Sequence, residues 1–182
     1  MIKNDGSKTN EQIFWGSFFG IYKEKAQVAV DELEKFYRNT FIEAKVACGY
    51  NKMAKNIIEM LKEKGVGAVL ATNPVFPKIA TYARASWAGL DTDDFMYITT
   101  YENSRHCKPN IEYYKDILNE LSLNPEECLM VGNDVRDDMI AERLGMKVFL
   151  LTDCLINSEN ADISVYPQGN FSKLKEYIDK LC

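Results

Sequence analysis

The sequence predicts an α/β protein: a Rossmann-like parallel sheet with helices on both faces, preceded by a separate helical segment. Three observations predict it. Short apolar runs at 66–71, 95–99, 128–131 and 148–151 alternate with stretches of helical periodicity as far as Leu181. The first fifty residues contain no such run, only apolar residues at helical spacing. Chemistry-bearing clusters come after the runs, namely Thr72-Asn73, Lys108-Pro109 and the stretch from Gly132 to Asp138. Open α/β sheets bind ligands at the carboxyl ends of their strands.

Each element has a local reason. Thr9-Asn10-Glu11-Gln12 has the form of a capping box, and Phe14, Trp15, Phe18, Phe19 and Tyr22 then give an aromatic-faced helix. Val28, Val30, Leu33, Phe36, Tyr37 and Phe41 predict at least one more helix. A helix carrying Met53, Ile57, Ile58 and Leu61 ends at Gly65 and leads into the strand at 66–71. Pro77 opens a helix through Trp87, 95–99 reads as a strand, and Pro109 opens a helix through Leu121. After the strand at 128–131, residues 134–144 read as a helix stopped by Gly145. Residues 148–151 are the last clear strand and 171–181 the closing helix.

Composition narrows the function. A net charge of −5 and no dense Lys/Arg patch argue against a nucleic-acid partner. No apolar run approaches membrane-spanning length, so no membrane association is expected. Five widely spaced cysteines show no C-x-x-C pair and read as free or buried thiols, which suits a soluble cytoplasmic protein.

The clustered residues suit phosphoryl transfer. A transferring phosphoryl group spreads charge over its oxygens, which Lys108 can neutralise while the Thr72 hydroxyl and nearby backbone N–H groups position them. Asp134 can ligate Mg²⁺, and Asp138, four residues on, can support it. Asp137 is expected to point elsewhere. Loop residues Tyr101, Glu102, Asn103 and Arg105 read as solvated or as substrate contacts, His106 as a loop histidine contacting backbone, and Tyr113 and Tyr114 as helix packing.

With these residues in order, the chain resembles the haloacid dehalogenase (HAD) superfamily, most of whose members are Mg²⁺-dependent phosphatases. Ala71-Thr72-Asn73 resembles the second family motif, His106-Cys107-Lys108-Pro109-Asn110 the third, and 131–138 with Ala141 and Leu144-Gly145-Met146 the fourth. The resemblance implies Thr72 and Lys108 as catalytic, Thr72, Asn73 and Lys108 as substrate-binding, and Asp134 and Asp138 as metal-binding. It further implies Mg²⁺, a small phosphorylated substrate, and hydrolysis through an aspartyl-phosphate. Dehalogenase and phosphotransferase chemistry stay open. Residues 1–50 then read as part of a helical cap and 51–182 as the core.

The family's first motif, an Asp-x-Asp ending the first strand, has no match. Asn4-Asp5-Gly6-Ser7 follows only Met1-Ile2-Lys3 and reads as a cap loop; Asp91-Thr92-Asp93 precedes a strand and reads as a solvated turn. The chain is therefore expected to lack its first strand, to fold poorly alone, to bind Mg²⁺ weakly and not to turn over. The alternative is a catalytically silent phosphate- or protein-binding module, or half of a split protein completed by an N-terminal fragment or a second copy. A phosphorelay receiver domain fits less well, because its Asp precedes its Thr and Lys, whereas the acidic cluster here comes last.

Overall fold

The computed structural model describes residues 4–181 and divides into two compact units, Met1–Cys107 and Lys108–Cys182. The Met1-Ile2-Lys3 segment, read as too short for a strand, and the Cys182 thiol lie outside the described residues.

The first unit starts with helix α1 (Asn10–Tyr22), whose N-terminus carries the expected capping box: Gln12 N donates to Thr9 Oγ1 and Thr9 N to Gln12 Oε1. Helix α2 (Lys25–Lys35) continues through a π turn, Phe36–Thr40, into a 3₁₀ helix, Phe41–Ala47. Phe41 anchors this stretch, its ring 5.1 Å from that of Trp87. Large apolar side chains remain exposed here, among them Ile21 at 71% and Val46 at 94%. Helix α3 (Lys52–Glu63), strand β1 (Val69–Leu70), helix α4 (Lys78–Trp87) and strand β2 (Tyr97–Ile98) complete the unit, with β1 and β2 parallel.

Strand β1 is shorter than the 66–71 run. Gly65 takes a left-handed conformation and Val66 N donates back to Leu61 O, so the first residues of the run close helix α3 instead of pairing. The ladder begins where Met96 N donates to Ala68 O.

The second unit comprises helix α5 (Ile111–Glu120), strand β3 (Leu129–Gly132), strand β4 (Lys147–Leu151), strand β5 (Gln168–Gly169) and helix α6 (Phe171–Leu181). Its strands form a parallel sheet in the order β3-β4-β5, with Met130 opposite Val148 and Leu150 opposite Gln168. Met130, Val148, Phe149, Leu150, Leu174 and Ile178 are buried. The two-residue β5 is too short to leave a periodic signal in the sequence. Helix α5 is capped by Asn110, whose Oδ1 accepts from Glu112 N, rather than opened by Pro109; the Lys108–Pro109 peptide is cis.

The expected helix at 134–144 is corrected to a turn followed by a 3₁₀ helix, Met139–Leu144, ending on left-handed Gly145. The cause is Asp134, whose Oδ1 accepts from both Arg136 N and Asp137 N and offers the backbone an alternative to helical bonding. The α/β class with parallel strands holds, and among the described residues the strands form a two-stranded and a three-stranded sheet.

Candidate functional site

Lys108 and Asp138 meet as a buried ion pair. Nζ lies 2.7 Å from Asp138 Oδ1, and the residues are 8% and 5% exposed. Removing two charges from water is costly, so burial on this scale requires each to be further satisfied. Asp138 is: its Oδ2 accepts from Asp134 N at 3.0 Å, and Asp138 N donates to Asp134 O. Gly132 makes room for it, since a Cβ there would stand 2.1 Å from Asp138 Oδ2. The glycine ending β3 is thus required by the carboxylate lying against it.

The turn at 133–138 is bonded on several sides. Val135 N donates to Ile156 O and Ile156 N to Asn133 O, which joins the turn to the segment after β4. Tyr114 Oη donates to Asp137 O at 2.7 Å. The rings of Tyr113 and Tyr114 meet nearly at right angles, and Lys108 Nζ lies 5.7 and 5.8 Å from their centroids, within cation–π range. Sequence reasoning assigned these tyrosines to packing and missed the hydroxyl; the signal lies in their placement one helical turn into the helix that follows Lys108.

Electrostatics follow from this crowding. Burial raises the Asp137 carboxyl pKa, with Asp134 and then Asp138 adding repulsion. Burial, followed by the charge of Asp138, also pushes the Tyr114 phenol far above its usual range and keeps it a donor.

Asp134 and Asp138 share one turn, non-helical where the sequence predicts a helix, and carboxylate oxygens are the kind of donor Mg²⁺ takes, commonly one or two carboxylates plus phosphate and water. Among the described residues no group of three or more metal-ligating side chains converges.

Thr72 and Asn73 stand in the first unit at the carboxyl end of β1. Thr72 Oγ1 donates to Thr99 O and Thr99 Oγ1 to Thr72 O, each at 3.0 Å, so two strand-end threonines clasp one another. Thr99 was not singled out from sequence, where it reads as the last residue of a strand. Glu102 caps α4 through Lys78 N. Asp91 and Asp93 sit where expected, before β2, with Asp91 Oδ1 accepting from Asp93 N.

A third cluster organises the loop before Lys108. Asn10 is fully buried; its Nδ2 lies within 3.4 Å of Pro74 O, His106 O and Cys107 Sγ, and its Oδ1 accepts from Asn4. Gly6 packs on the His106 ring with φ +83°.

The model of haloacid dehalogenase-like hydrolases matches residues 7–145. The chain belongs to that family. Among curated proteins, this HAD-like chain is 36% identical over 59 residues to YhcW of Bacillus subtilis strain 168, whose name carries a provisional phosphatase assignment; that stretch is 32% of this chain and 27% of the relative. Among solved structures, the HAD-like chain resembles β-phosphoglucomutase from Clostridium difficile, with 18% identity, a TM-score of 0.61, and coverage of 96% of this chain and 77% of that one. It also resembles a protein from Haemophilus somnus 129PT described as a predicted phosphoglycolate phosphatase, with 22% identity, a TM-score of 0.57, and coverage of 68% of this chain and 55% of that one. At these identities the structural likeness concerns the fold. No described helix of the HAD-like chain is long and apolar enough to cross a membrane.

Proposed function

We propose that this chain carries the phosphate- and Mg²⁺-handling part of a HAD-like phosphatase, and that it does not complete a catalytic cycle by itself. The observation that carries the reading is the buried Lys108–Asp138 pair braced by the Asp134 turn. In the second unit Lys108 is suited to the phosphoryl charge and Asp134 with Asp138 would hold Mg²⁺; in the first, Thr72 and Asn73 at the end of β1 are the groups the family resemblance assigns to the phosphoryl oxygens, the Thr72 hydroxyl leaving Thr99 O to reach one. Bound Mg²⁺ would supply charge stabilisation to the phosphoryl oxygens.

In the lineage chemistry, an aspartate attacks phosphorus, the alcohol leaves, and water cleaves the aspartyl-phosphate. The Asp-x-Asp of this sequence, Asp91-Thr92-Asp93, precedes a strand instead of following one, and Asp91 serves as a cap. A complementing segment or a second copy would have to supply the nucleophile. Residues 1–50 fit the part of a cap. A reducing cytoplasmic setting accords with the free thiols of Cys48, Cys128 and Cys154.

Titration of the 182-residue chain with inorganic phosphate and with Mg²⁺, followed by amide NMR, tests this reading alongside a 4-nitrophenyl phosphate assay. Weak binding that shifts Lys108 and the 133–138 turn, without hydrolysis, is expected. Hydrolysis lost on Asp134→Ala would overturn the proposed incompleteness. An unperturbed turn at millimolar ligand would overturn the phosphate role.

A further inference from the structure

The proposed chemistry leaves Tyr114 without a part, yet this side chain touches both halves of the charged cluster in the second unit. We infer that Tyr114 is a positioning residue: its hydroxyl holds the Asp137 carbonyl while its ring, with that of Tyr113, walls in the Lys108 ammonium. The inference rests on the phosphate reading of Lys108 and Asp134 and adds what sets their mutual placement.

The geometry is specific. Consecutive helical residues point about 100° apart, and here the two rings stand at 84° with centroids 5.0 Å apart. They form a corner, and Lys108 Nζ sits within it. An aromatic face stabilises a cation without accepting a conventional hydrogen bond, so the ammonium is desolvated on that flank while its N–H donors stay directed at oxygen. On the other side, most hydrogen bonds of the 133–138 turn are internal or run to Ile156. The Tyr114 hydroxyl instead ties the turn to α5, the helix that begins just after Lys108. With Tyr114 2% exposed, water is poorly placed to substitute for that bond.

The test uses the full chain with Tyr114→Phe, which keeps the ring and deletes the donor, and Tyr114→Leu, which deletes both. Amide hydrogen exchange and the Lys108 ε-methylene resonances, recorded without ligand, judge the positioning role; Mg²⁺ titration of the same samples judges the phosphate reading. In Tyr114→Phe, exchange at Arg136, Asp137 and Asp138 should quicken about fivefold, the worth of one neutral hydrogen bond. Met130 and Phe149 should exchange at the parental rate, and Lys108 should keep its upfield ring-current displacement. That displacement should shrink in Tyr114→Leu, and Mg²⁺ affinity should fall about fivefold in both.

Unchanged exchange in Tyr114→Phe, or an equal rise across β3 and β4, overturns the inference. If neither variant folds, the parental Lys108 resonances decide: undisplaced methylenes overturn the aromatic corner and displaced ones support it. A parental turn that ignores Mg²⁺ while the exchange pattern holds defeats the phosphate reading and leaves the positioning role standing.

Discussion

Lys108 and Asp138 satisfy one another at 2.7 Å with little exposure, so neither can be removed cheaply. Asp138→Leu leaves an unpaired buried ammonium and should cost roughly 3–5 kcal/mol in urea unfolding, whereas Lys108→Met combined with Asp138→Leu should cost clearly less. Gly132→Ala tests the same contact from below. Its Cβ would overlap the carboxylate, and the resulting displacement should cost about 1–3 kcal/mol and weaken the Mg²⁺ binding proposed above. Asp137 gives the opposite pH signature to a stabilising carboxylate. Its folded pKa is raised by burial, so its contribution is complete below the ordinary aspartate value of about 3.9 and is lost as pH rises through the higher folded value. Urea midpoints measured from pH 4 to 7 should therefore lose part of their downward slope in Asp137→Asn.

The elements show which signals a sequence holds on its surface. The Thr9 capping box, the Gly65 and Gly145 stops and the 171–181 helix were legible because each is written within a few neighbouring residues. The turn at 133–138 was read as helix because its Asp134 bonds compete with helical ones, and the winner depends on a lysine thirty residues away holding Asp138. Separations of 23 and 27 residues hid the Tyr114 hydroxyl and the Thr72–Thr99 clasp in the same way, although the candidate residues themselves could be named from strand ends and residue chemistry. Asn10 is the sharpest case. It read as the second residue of a capping box, and it is also the buried hub for Pro74, His106 and Cys107. Asn10→Leu strands several of those acceptors and the Asn4 amide at once. It should destabilise by about 1–3 kcal/mol or more, against about 1 kcal/mol for loss of the Asn110 cap in Asn110→Ala, both read by thermal unfolding.

At the scale of the whole molecule, the parallel strands are shared between a two-stranded and a three-stranded sheet. Among the described residues, β1 and β3 each pair with a strand on one side only, and an unpaired strand edge invites association. With two compact units and short ladders, heating the purified chain should give near- and far-ultraviolet circular dichroism transitions that do not coincide, followed by aggregation. One sharp, reversible, coincident transition would contradict that expectation. The division of the chain also has a temporal side. Every partner of Asn10 in its buried hub precedes Lys108, so a chain emerging from the ribosome can tie that hub without any residue of the second unit. Asp138 then follows Lys108 by 30 residues, a translation interval of roughly 2–6 s at typical elongation rates. Between the emergence of Lys108 and that of Asp138 the ammonium lacks its counter-ion, and its burial waits for the ribosome to release the carboxylate.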